Sequence, residues 1–442
     1  MHQFTSAAAL SRRQLFRSGA IMGAGAALTT LPFATPAAAQ DAAARWPQVA
    51  RLVKTYVDRQ NVANMVTAMG WRQDDPAFIA QGRTGFDRGP VAGPDTLYRI
   101  YSMTKPVTGM AAMICIDEGR FGLDTPLAEI LPAYQNMWVQ KKYDGAVTTD
   151  NLEALKRPIL IRHLLTHTAG LGYGIVQSGP IAEMYLQKGL IPGQVSRLEI
   201  AGIFRGQPVA SLAAFADRLA TVPLVLQPGT RWSYSVGLDL MGRVIEVATG
   251  QKFDAFLKDR IFDPVGMDST GFQVSRGDAG RLASNYFFLG GFPIPIDEPE
   301  NSIYLDKPAF PFGGAGLVSS ARDYDRFLQM LAGYGRIDGQ QVMSEAAVRM
   351  GTSDLFPDTL APGGGFDFGS RSFGFGAGGM VGRGDADGLF GWFGAAGTAG
   401  LVNMKWGLRQ TLMAQFMPAE RYELRSEFPL AVAADAAAQL PR

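Results

Sequence analysis

The chain has 442 residues, 47% hydrophobic and 18% charged, a composition that indicates a globular protein with one large domain or two smaller ones. Because 41 basic residues nearly balance 40 acidic ones, the net charge is +1 and argues against nucleic acid or an anionic membrane as a partner. The single cysteine excludes an intramolecular disulfide and any metal site built from several thiolates.

The first 39 residues have the pattern of a twin-arginine export signal. The pair Arg12-Arg13 precedes a Gly/Ala-rich apolar stretch over 19–31, and Ala37-Ala38-Ala39 supplies a small-residue cleavage site. This stretch is shorter than the roughly 20 residues that a membrane-spanning helix needs. The pattern predicts a cleaved leader over 1–39, a periplasmic or secreted mature protein, and no stable membrane insertion. An uncleaved membrane anchor is the alternative.

The mature chain begins with a helical pattern and then a hairpin. Apolar residues at helical spacing predict an amphipathic helix over 46–59. Strand-like runs over 64–71 and 77–80 flank a polar turn and predict a β-hairpin. A further strand-like run over 97–101 leads into a helix that ends near Gly119. One apolar face is expected on that helix, made of Val107, Met110, Ala111 and Ile114.

The sequence pattern of the remaining chain changes near residue 290. Residues 122–289 are mostly helical patterns joined by Pro/Gly loops, whereas short apolar runs alternate with glycine between Gly363 and Gly400, as in antiparallel hairpins. An Ala-rich closing helix follows over 427–440. We therefore predict an α+β fold, an α/β sandwich in which both chain ends, 46–121 and 290–442, form an antiparallel sheet domain flanked by the terminal helices. The mostly helical domain, 122–289, is inserted between them.

Histidine is too scarce to suggest metal or triad chemistry. Of three histidines, His2 lies in the predicted leader, and only His163 and His167 belong to the mature chain. Their run lacks the glutamate of a His-Glu-x-x-His zinc helix, and no Gly-x-Ser-x-Gly elbow is present. We expect no metal, no organic cofactor and a general base other than histidine.

One Ser-x-x-Lys sequence, Ser102 to Lys105, lies where the strand-like run passes into the helix. Spacing of i, i+3 puts the hydroxyl and the ammonium on one face of the first turn, where backbone N–H groups favour negative charge. A serine hydroxyl needs a proton acceptor, and a neutral lysine or a deprotonated tyrosine beside that cation are the candidates. The tetrapeptide alone also fits a serine that caps a helix next to an exposed lysine.

Four blocks in order, 102–105, 161–171, 228–237 and 313–323, resemble the serine β-lactamase superfamily. The chain is most similar to the carboxylesterases with a β-lactamase fold, called family VIII esterases, and the resemblance extends over about 46–405. It implies the β-lactamase/transpeptidase-like fold and a serine hydrolase that acts on small molecules, and with the predicted leader we expect this hydrolase to be secreted. Ser102 is then the nucleophile, and Tyr234 and Lys105 handle its proton.

The third family motif, Lys/His-Thr/Ser-Gly in lactamases, stands here as Trp392-Phe393-Gly394. The resemblance implies that these three residues contact the substrate, and that the backbone N–H groups of Ser102 and Ala395 form an oxyanion hole. Phe393 departs from the Trp-Gly-Gly that is usual in the esterases.

A second departure concerns Val236, which stands where class C β-lactamases have an asparagine that contacts the penicillin side chain. With Val236 and Trp392 in place of polar or cationic groups, we expect carboxylic esters to be preferred over lactams. The alternatives are a β-lactamase or D-alanyl-D-alanine carboxypeptidase, an acyltransferase, and a non-catalytic penicillin-binding sensor. The sequence indicates no oligomeric state.

Overall fold

The structure, a computed structural model, describes residues 36–191, 193–198 and 206–439. The leader predicted over 1–39 lies outside the described residues except for its last four, which begin the first helix. The helices of the described chain are α1 Pro36–Arg45, α2 Pro47–Asp58, α3 Thr104–Asp117, α4 Leu127–Ile130, α5 Ile161–Leu165, α6 Gly179–Gln187, α7 Leu212–Leu219, α8 Gly237–Thr249, α9 Phe253–Leu257, α10 Asp263–Val265, α11 Ala321–Ala332, α12 Glu345–Gly351 and α13 Leu424–Gln439.

The strands of the same residues are β1 Asn64–Trp71, β2 Ala77–Gly85, β3 Arg88–Val91, β4 Leu97–Arg99, β5 Trp138–Gln140, β6 Leu152–Ala154, β7 Asn285–Leu289, β8 Phe292–Asp297, β9 Val318–Ser320, β10 Arg336–Ile337, β11 Gln340–Gln341, β12 Phe366–Phe368, β13 Arg371–Phe375, β14 Met380–Val381, β15 Leu389–Phe393, β16 Ala399–Asn403, β17 Leu408–Met413 and β18 Phe416–Met417.

The main sheet has nine strands in the order β12-β13-β14-β15-β16-β17-β1-β2-β3. Every neighbouring pair is antiparallel, and β1 joins the two chain ends by pairing with β17 on one side and β2 on the other. This arrangement confirms the predicted α+β fold, the early hairpin and the hairpins between Gly363 and Gly400. The division into two domains stays a prediction.

The terminal helices pack together against the sheet, as predicted. Residues of α2 and α13, among them Val49, Phe428 and Val432, share a hydrophobic core with the sheet. The buried carboxylate of Asp435 on α13 accepts hydrogen bonds from the backbone N–H groups of Gln48 (2.9 Å) and Val49 (3.1 Å). These N–H groups begin α2 and have no acceptor within their own helix. A carboxylate from the far end of the chain therefore caps the first long helix.

The residues predicted to form the apolar face of α3 are buried, and the other sides of this helix are buried as well. Every residue from Thr104 to Cys115 is buried, because α3 lies between the sheet, α8 and α12. A Cβ atom on Gly109 would lie 2.0 Å from the carbonyl oxygen of Ala377, so only glycine permits this close packing. No helix among the described residues is both long and apolar enough to cross a membrane.

Candidate active site

Ser102 lies in a tight turn between β4 and α3. A single 3-10 turn, Tyr101–Met103, connects the two elements, and Tyr101 has a left-handed backbone with φ of +42°. The side chain of Asn285 donates a hydrogen bond to the Tyr101 hydroxyl at 3.0 Å. Ser102 stays partly exposed while the residues on either side of it are buried. Strand pairing and the Asn285 contact thus hold the hydroxyl of Ser102 at the surface of the core.

Lys105 is fully buried one helical turn after Ser102. Its ammonium Nζ lies 3.3 Å from Ser102 Oγ and donates a 2.7 Å hydrogen bond to the carbonyl oxygen of Gly314. The same nitrogen lies 4.5 Å from the ring centroid of Tyr234 and 5.5 Å from that of Tyr173. Two ring faces and a carbonyl therefore stabilise a cation beside the serine oxygen.

Tyr234 reaches Ser102 from the segment that precedes α8. Its hydroxyl donates to Ser102 Oγ at 2.8 Å, and the indole Nε1 of Trp392 donates to the Tyr234 hydroxyl at 3.2 Å. The ring of His167 packs on the Tyr234 ring at 4.7 Å between centroids. The structure thus brings Ser102, Lys105, Tyr234 and Trp392 together, with every polar group within hydrogen-bonding reach of its neighbour.

The end of β15 passes close to the turn that carries the serine. A Cβ atom on Gly394 would lie 2.5 Å from the carbonyl oxygen of Ile100 and 2.0 Å from Thr398 Oγ1. Glycine is therefore required at position 394 for this close approach to the serine turn. Within the described residues, the Ala395 N–H donates to no acceptor.

Aromatic side chains surround the Tyr234–Trp392 contact. Phe366 and Phe375 pack on Trp392 at 5.4 and 5.2 Å between ring centroids, and Trp232 packs on Phe366 at 4.6 Å. Such edge and offset contacts are the arrangements that aromatic rings prefer. The site is consequently walled by apolar rings on the side of the third motif, with no cationic side chain at position 392.

Two of the expected substrate-binding residues point away from solvent. Val236 is fully buried in the hydrophobic core at the start of α8, and Phe393 is 7% exposed, with its ring stacked on Phe368 at 5.5 Å. A sequence motif gives the position of a residue but not the direction of its side chain. The proposed contacts of Val236 and Phe393 with a substrate stay a prediction.

Both histidines of the mature chain are buried and neutral near pH 7. His167 Nδ1 accepts a hydrogen bond from the backbone N–H of Ser235 at 3.2 Å, and burial together with the charge of Lys105 holds the pKa of His167 well below its usual range. Burial, with the nearby charge of Arg162, lowers the pKa of His163 to about 4. Neither imidazole has a hydrogen bond to Ser102. Among the described residues, no group of three His, Cys, Asp or Glu side chains could hold a metal ion.

Sequence reasoning missed Asp239, which is fully buried in the first turn of α8. Its Oδ1 accepts a 2.9 Å hydrogen bond from the backbone N–H of Gly314. Burial raises the pKa of Asp239 to about 6, although the charge of Lys105 opposes that rise. The sequence does contain a signal, because Asp239 interrupts an otherwise apolar run five residues after Tyr234.

Comparison with known proteins gives one family. A family model described as Beta-lactamase matches residues 49–432. The protein Rv1367c of Mycobacterium tuberculosis is 36% identical over 307 residues, which cover 69% of this chain and 71% of that protein. Esterase EstB of Burkholderia gladioli is 30% identical over 305 residues, covering 65% of this chain and 70% of EstB.

A similar solved structure is that of EstCE1, a hydrolase with promiscuous acyltransferase activity. It superposes with a TM-score of 0.68 at 24% identity and covers 90% of this chain and 99% of EstCE1. At this identity the likeness concerns the fold, which is of the β-lactamase/transpeptidase-like type. It agrees with the antiparallel sheet and flanking helices described above.

Proposed function

Since the chain belongs to the beta-lactamase family and is a serine hydrolase of that family, we propose that it cleaves carboxylic esters through an acyl-Ser102 intermediate. The observation that carries this proposal is the pair of contacts at Ser102 Oγ, 2.8 Å to the Tyr234 hydroxyl and 3.3 Å to the Lys105 ammonium. A weak nucleophile with two proton-handling groups in reach is the requirement for acyl transfer.

In the proposed acylation step, the phenolic oxygen of Tyr234 acts as the general base and takes the proton of Ser102. The 2.8 Å hydrogen bond then runs from Ser102 to Tyr234, and Oγ attacks the ester carbonyl carbon. The backbone N–H groups of Ser102 and Ala395 donate hydrogen bonds to the carbonyl oxygen and stabilise the negative charge that develops on it. One such donor is typically worth about 3 kcal/mol of transition-state stabilisation. Tyr234 returns the proton to the departing alcohol.

Deacylation repeats these steps with water in place of the serine hydroxyl. Tyr234 takes a proton from the water molecule, whose oxygen attacks the acyl carbon, and the proton passes to Ser102 Oγ as the acid leaves. The same two amides stabilise the second oxyanion.

The proposed substrate is a neutral ester with an apolar acyl group. Trp392 offers an indole N–H that is already bonded to Tyr234 at 3.2 Å, so position 392 provides no charge for a substrate carboxylate. The rings of Phe366 and Phe375 line the same side. Desolvating a carboxylate against such rings without a cation is unfavourable, whereas an apolar chain gains by burial. The name of the relative EstB, an esterase, supports the same substrate class.

The decisive experiment compares p-nitrophenyl butyrate and nitrocefin as substrates of the wild type and of Ser102→Ala. We expect ester cleavage that is lost in Ser102→Ala, with little nitrocefin turnover. Ser344→Ala is the matched control, because the Ser344 hydroxyl only caps α12 by accepting from the N–H of Ala347 at 3.0 Å. Ester cleavage that survives in Ser102→Ala would refute the proposal.

The same assay distinguishes the other enzymatic outcomes. Preference for nitrocefin would make the protein a β-lactamase. Added alcohol that diverts the acyl group into a new ester, at the expense of free acid, would make it mainly an acyltransferase. Labelling of Ser102 without turnover would identify a sensor.

We also propose export by the leader over 1–39, on the strength of Arg12-Arg13 and the Ala37-Ala38-Ala39 site. Mass spectrometry of the mature protein from the periplasm should give Gln40 as its first residue. An intact Met1 on protein in the membrane fraction would contradict cleavage.

A further inference from the structure

We propose that Asp239 is a positioning residue, whose negative charge and hydrogen bond to the Gly314 peptide hold the Lys105 ammonium against Ser102. This inference rests on the proposed function of Ser102 as the nucleophile. It adds to the site a carboxylate that never touches the substrate and acts through Lys105.

A continuous path of contacts joins Asp239 to the nucleophile. The Gly314 N–H donates to Asp239 Oδ1 at 2.9 Å, and the carbonyl oxygen of the same residue accepts from Lys105 Nζ at 2.7 Å. Lys105 Nζ in turn lies 3.3 Å from Ser102 Oγ. A Cβ atom on Gly314 would lie 2.5 Å from Asp239 Oδ2, so a glycine is needed for the carboxylate to lie this close to the peptide. One residue, Gly314, thus links the carboxylate to the ammonium.

The carboxylate is short of partners for its charge. Asp239 is fully buried, and within the described part of the chain its Oδ2 has no hydrogen-bond partner. A buried carboxylate without full hydrogen bonding needs a nearby cation, and Lys105, equally buried, is the charge that opposes the burial penalty. Lys105 is therefore the counter-charge of Asp239.

The surroundings of Asp239 contain few other groups that could replace Lys105. Tyr173 lies in the segment after α5. Burial, together with the nearby charge of Asp239, raises the pKa of Tyr173 well above its usual range, so Tyr173 stays a neutral phenol. On α8 itself, Arg243 pairs with Glu246 at 3.0 Å. His167 and Tyr234 lie around Lys105, and His167 is neutral for the reason given above. Lys105 is thus the cation that faces Asp239.

The charge of Asp239 changes within the range in which enzymes are assayed. Because burial raises its pKa to about 6, Asp239 is ionised at pH 8 and largely protonated at pH 5. On protonation, Lys105 loses its buried counter-charge, and only the Gly314 carbonyl and the two tyrosine rings still stabilise its ammonium beside Ser102. We expect the rate of Ser102 acylation to fall as the pH falls through about 6.

A second tether on the same loop provides the matched control. The Thr108 hydroxyl donates to the carbonyl oxygen of Gly313 at 2.7 Å, so it holds the loop from α3 without any charge. Asp239→Asn keeps an oxygen that can accept from the Gly314 N–H but removes the charge. Thr108→Val removes a tether but keeps the charge. The two variants separate electrostatics from simple support of the loop.

The test measures, from pH 5 to 8, kcat/KM for p-nitrophenyl butyrate and the rate at which a fluorophosphonate labels Ser102. For the wild type we expect an acid limb centred near pH 6, hence a rate at pH 5 about tenfold below the plateau. Asp239→Asn should have no such limb and a rate at pH 8 at least about tenfold below wild type. Thr108→Val should keep the limb at the wild-type midpoint.

The inference is overturned if Asp239→Asn keeps the acid limb or matches the wild type at pH 8, or if Thr108→Val removes the limb. If Asp239→Asn does not fold, infrared spectra of the wild type recorded from pH 5 to 8 test the inference instead, because they report the protonation of a buried carboxylate. A carboxylic-acid band that appears as the pH is lowered, with the same midpoint as the fall in rate, supports the inference. A fall in rate without that band refutes it. Failure of the fluorophosphonate to label Ser102 in the wild type would refute the proposed function itself.

Discussion

Replacing Tyr234 by phenylalanine removes a single oxygen from the centre of the proposed proton path. That oxygen lies 2.8 Å from Ser102 Oγ and accepts the 3.2 Å hydrogen bond of Trp392. The ring itself stays, so its packing against His167 and Tyr173, at 4.7 and 5.3 Å between centroids, is retained. The variant should therefore fold, and its loss of activity reports on the hydroxyl alone.

The expected loss in kcat is about 100- to 10,000-fold, the range for removal of a general acid–base group, and it corresponds to roughly 3–5 kcal/mol in the barrier. Stability should fall by only about 1–3 kcal/mol, because the buried indole N–H of Trp392 loses its acceptor. Steady-state hydrolysis of p-nitrophenyl butyrate measures the first quantity, and urea unfolding measures the second.

Tyr173→Phe is the control for this experiment. The Tyr173 ring lies 5.5 Å from Lys105 Nζ and 5.3 Å from the Tyr234 ring, but Tyr173 has no hydrogen bond to Ser102 and stays a neutral phenol. Its kcat should remain within a small factor of the wild type. If Tyr234→Phe retains more than about a tenth of wild-type kcat, or if both variants lose activity equally, Tyr234 does not carry the proton.

Three further predictions follow from the site. Trp392→Phe should lower kcat/KM by about tenfold, since one hydrogen bond to Tyr234 is lost; an unchanged pH–rate profile and rate would contradict this. Gly394→Ala should lower stability by about 1–3 kcal/mol and kcat with it, because the new Cβ meets Ile100 O at 2.5 Å; thermal unfolding and activity measure both, and a fully active variant would contradict the close approach. In the folded protein the pKa of His163 is about 4, below its usual 6.5, so between these two pH values the imidazole is protonated in the unfolded state but neutral in the folded state. The stability that the neutral imidazole contributes is complete above pH 6.5 and falls as the pH drops towards 4, by about 2 kcal/mol at pH 5; urea unfolding should show a smaller loss between pH 7 and 5 in His163→Asn than in the wild type.

The fold could be predicted largely because its signals are local. Apolar residues at helical spacing mark α2, and alternation around a polar turn marks the hairpin of β1 and β2. Burial on one side leaves such a period in the sequence. The helix α3 has no such period, because it is buried on every side, and its environment could not be read from its own residues.

The sequence by itself determined the pair Ser102 and Lys105, since a separation of three residues across a turn that leads into a helix keeps the two side chains close. Through a shared motif, the sequence also indicated Tyr234 and the end of β15. Only the tertiary structure decided which side chains meet across the chain. Tyr234 is 132 positions from Ser102, and Gly314 is 75 positions from Asp239 and 209 from Lys105. Val236 has its motif position from the sequence, and the structure adds that it is fully buried. Spacing along a chain constrains neighbours within a few residues, whereas contacts such as Asp239 to Gly314 depend on how α8, α3 and the glycine loop pack together.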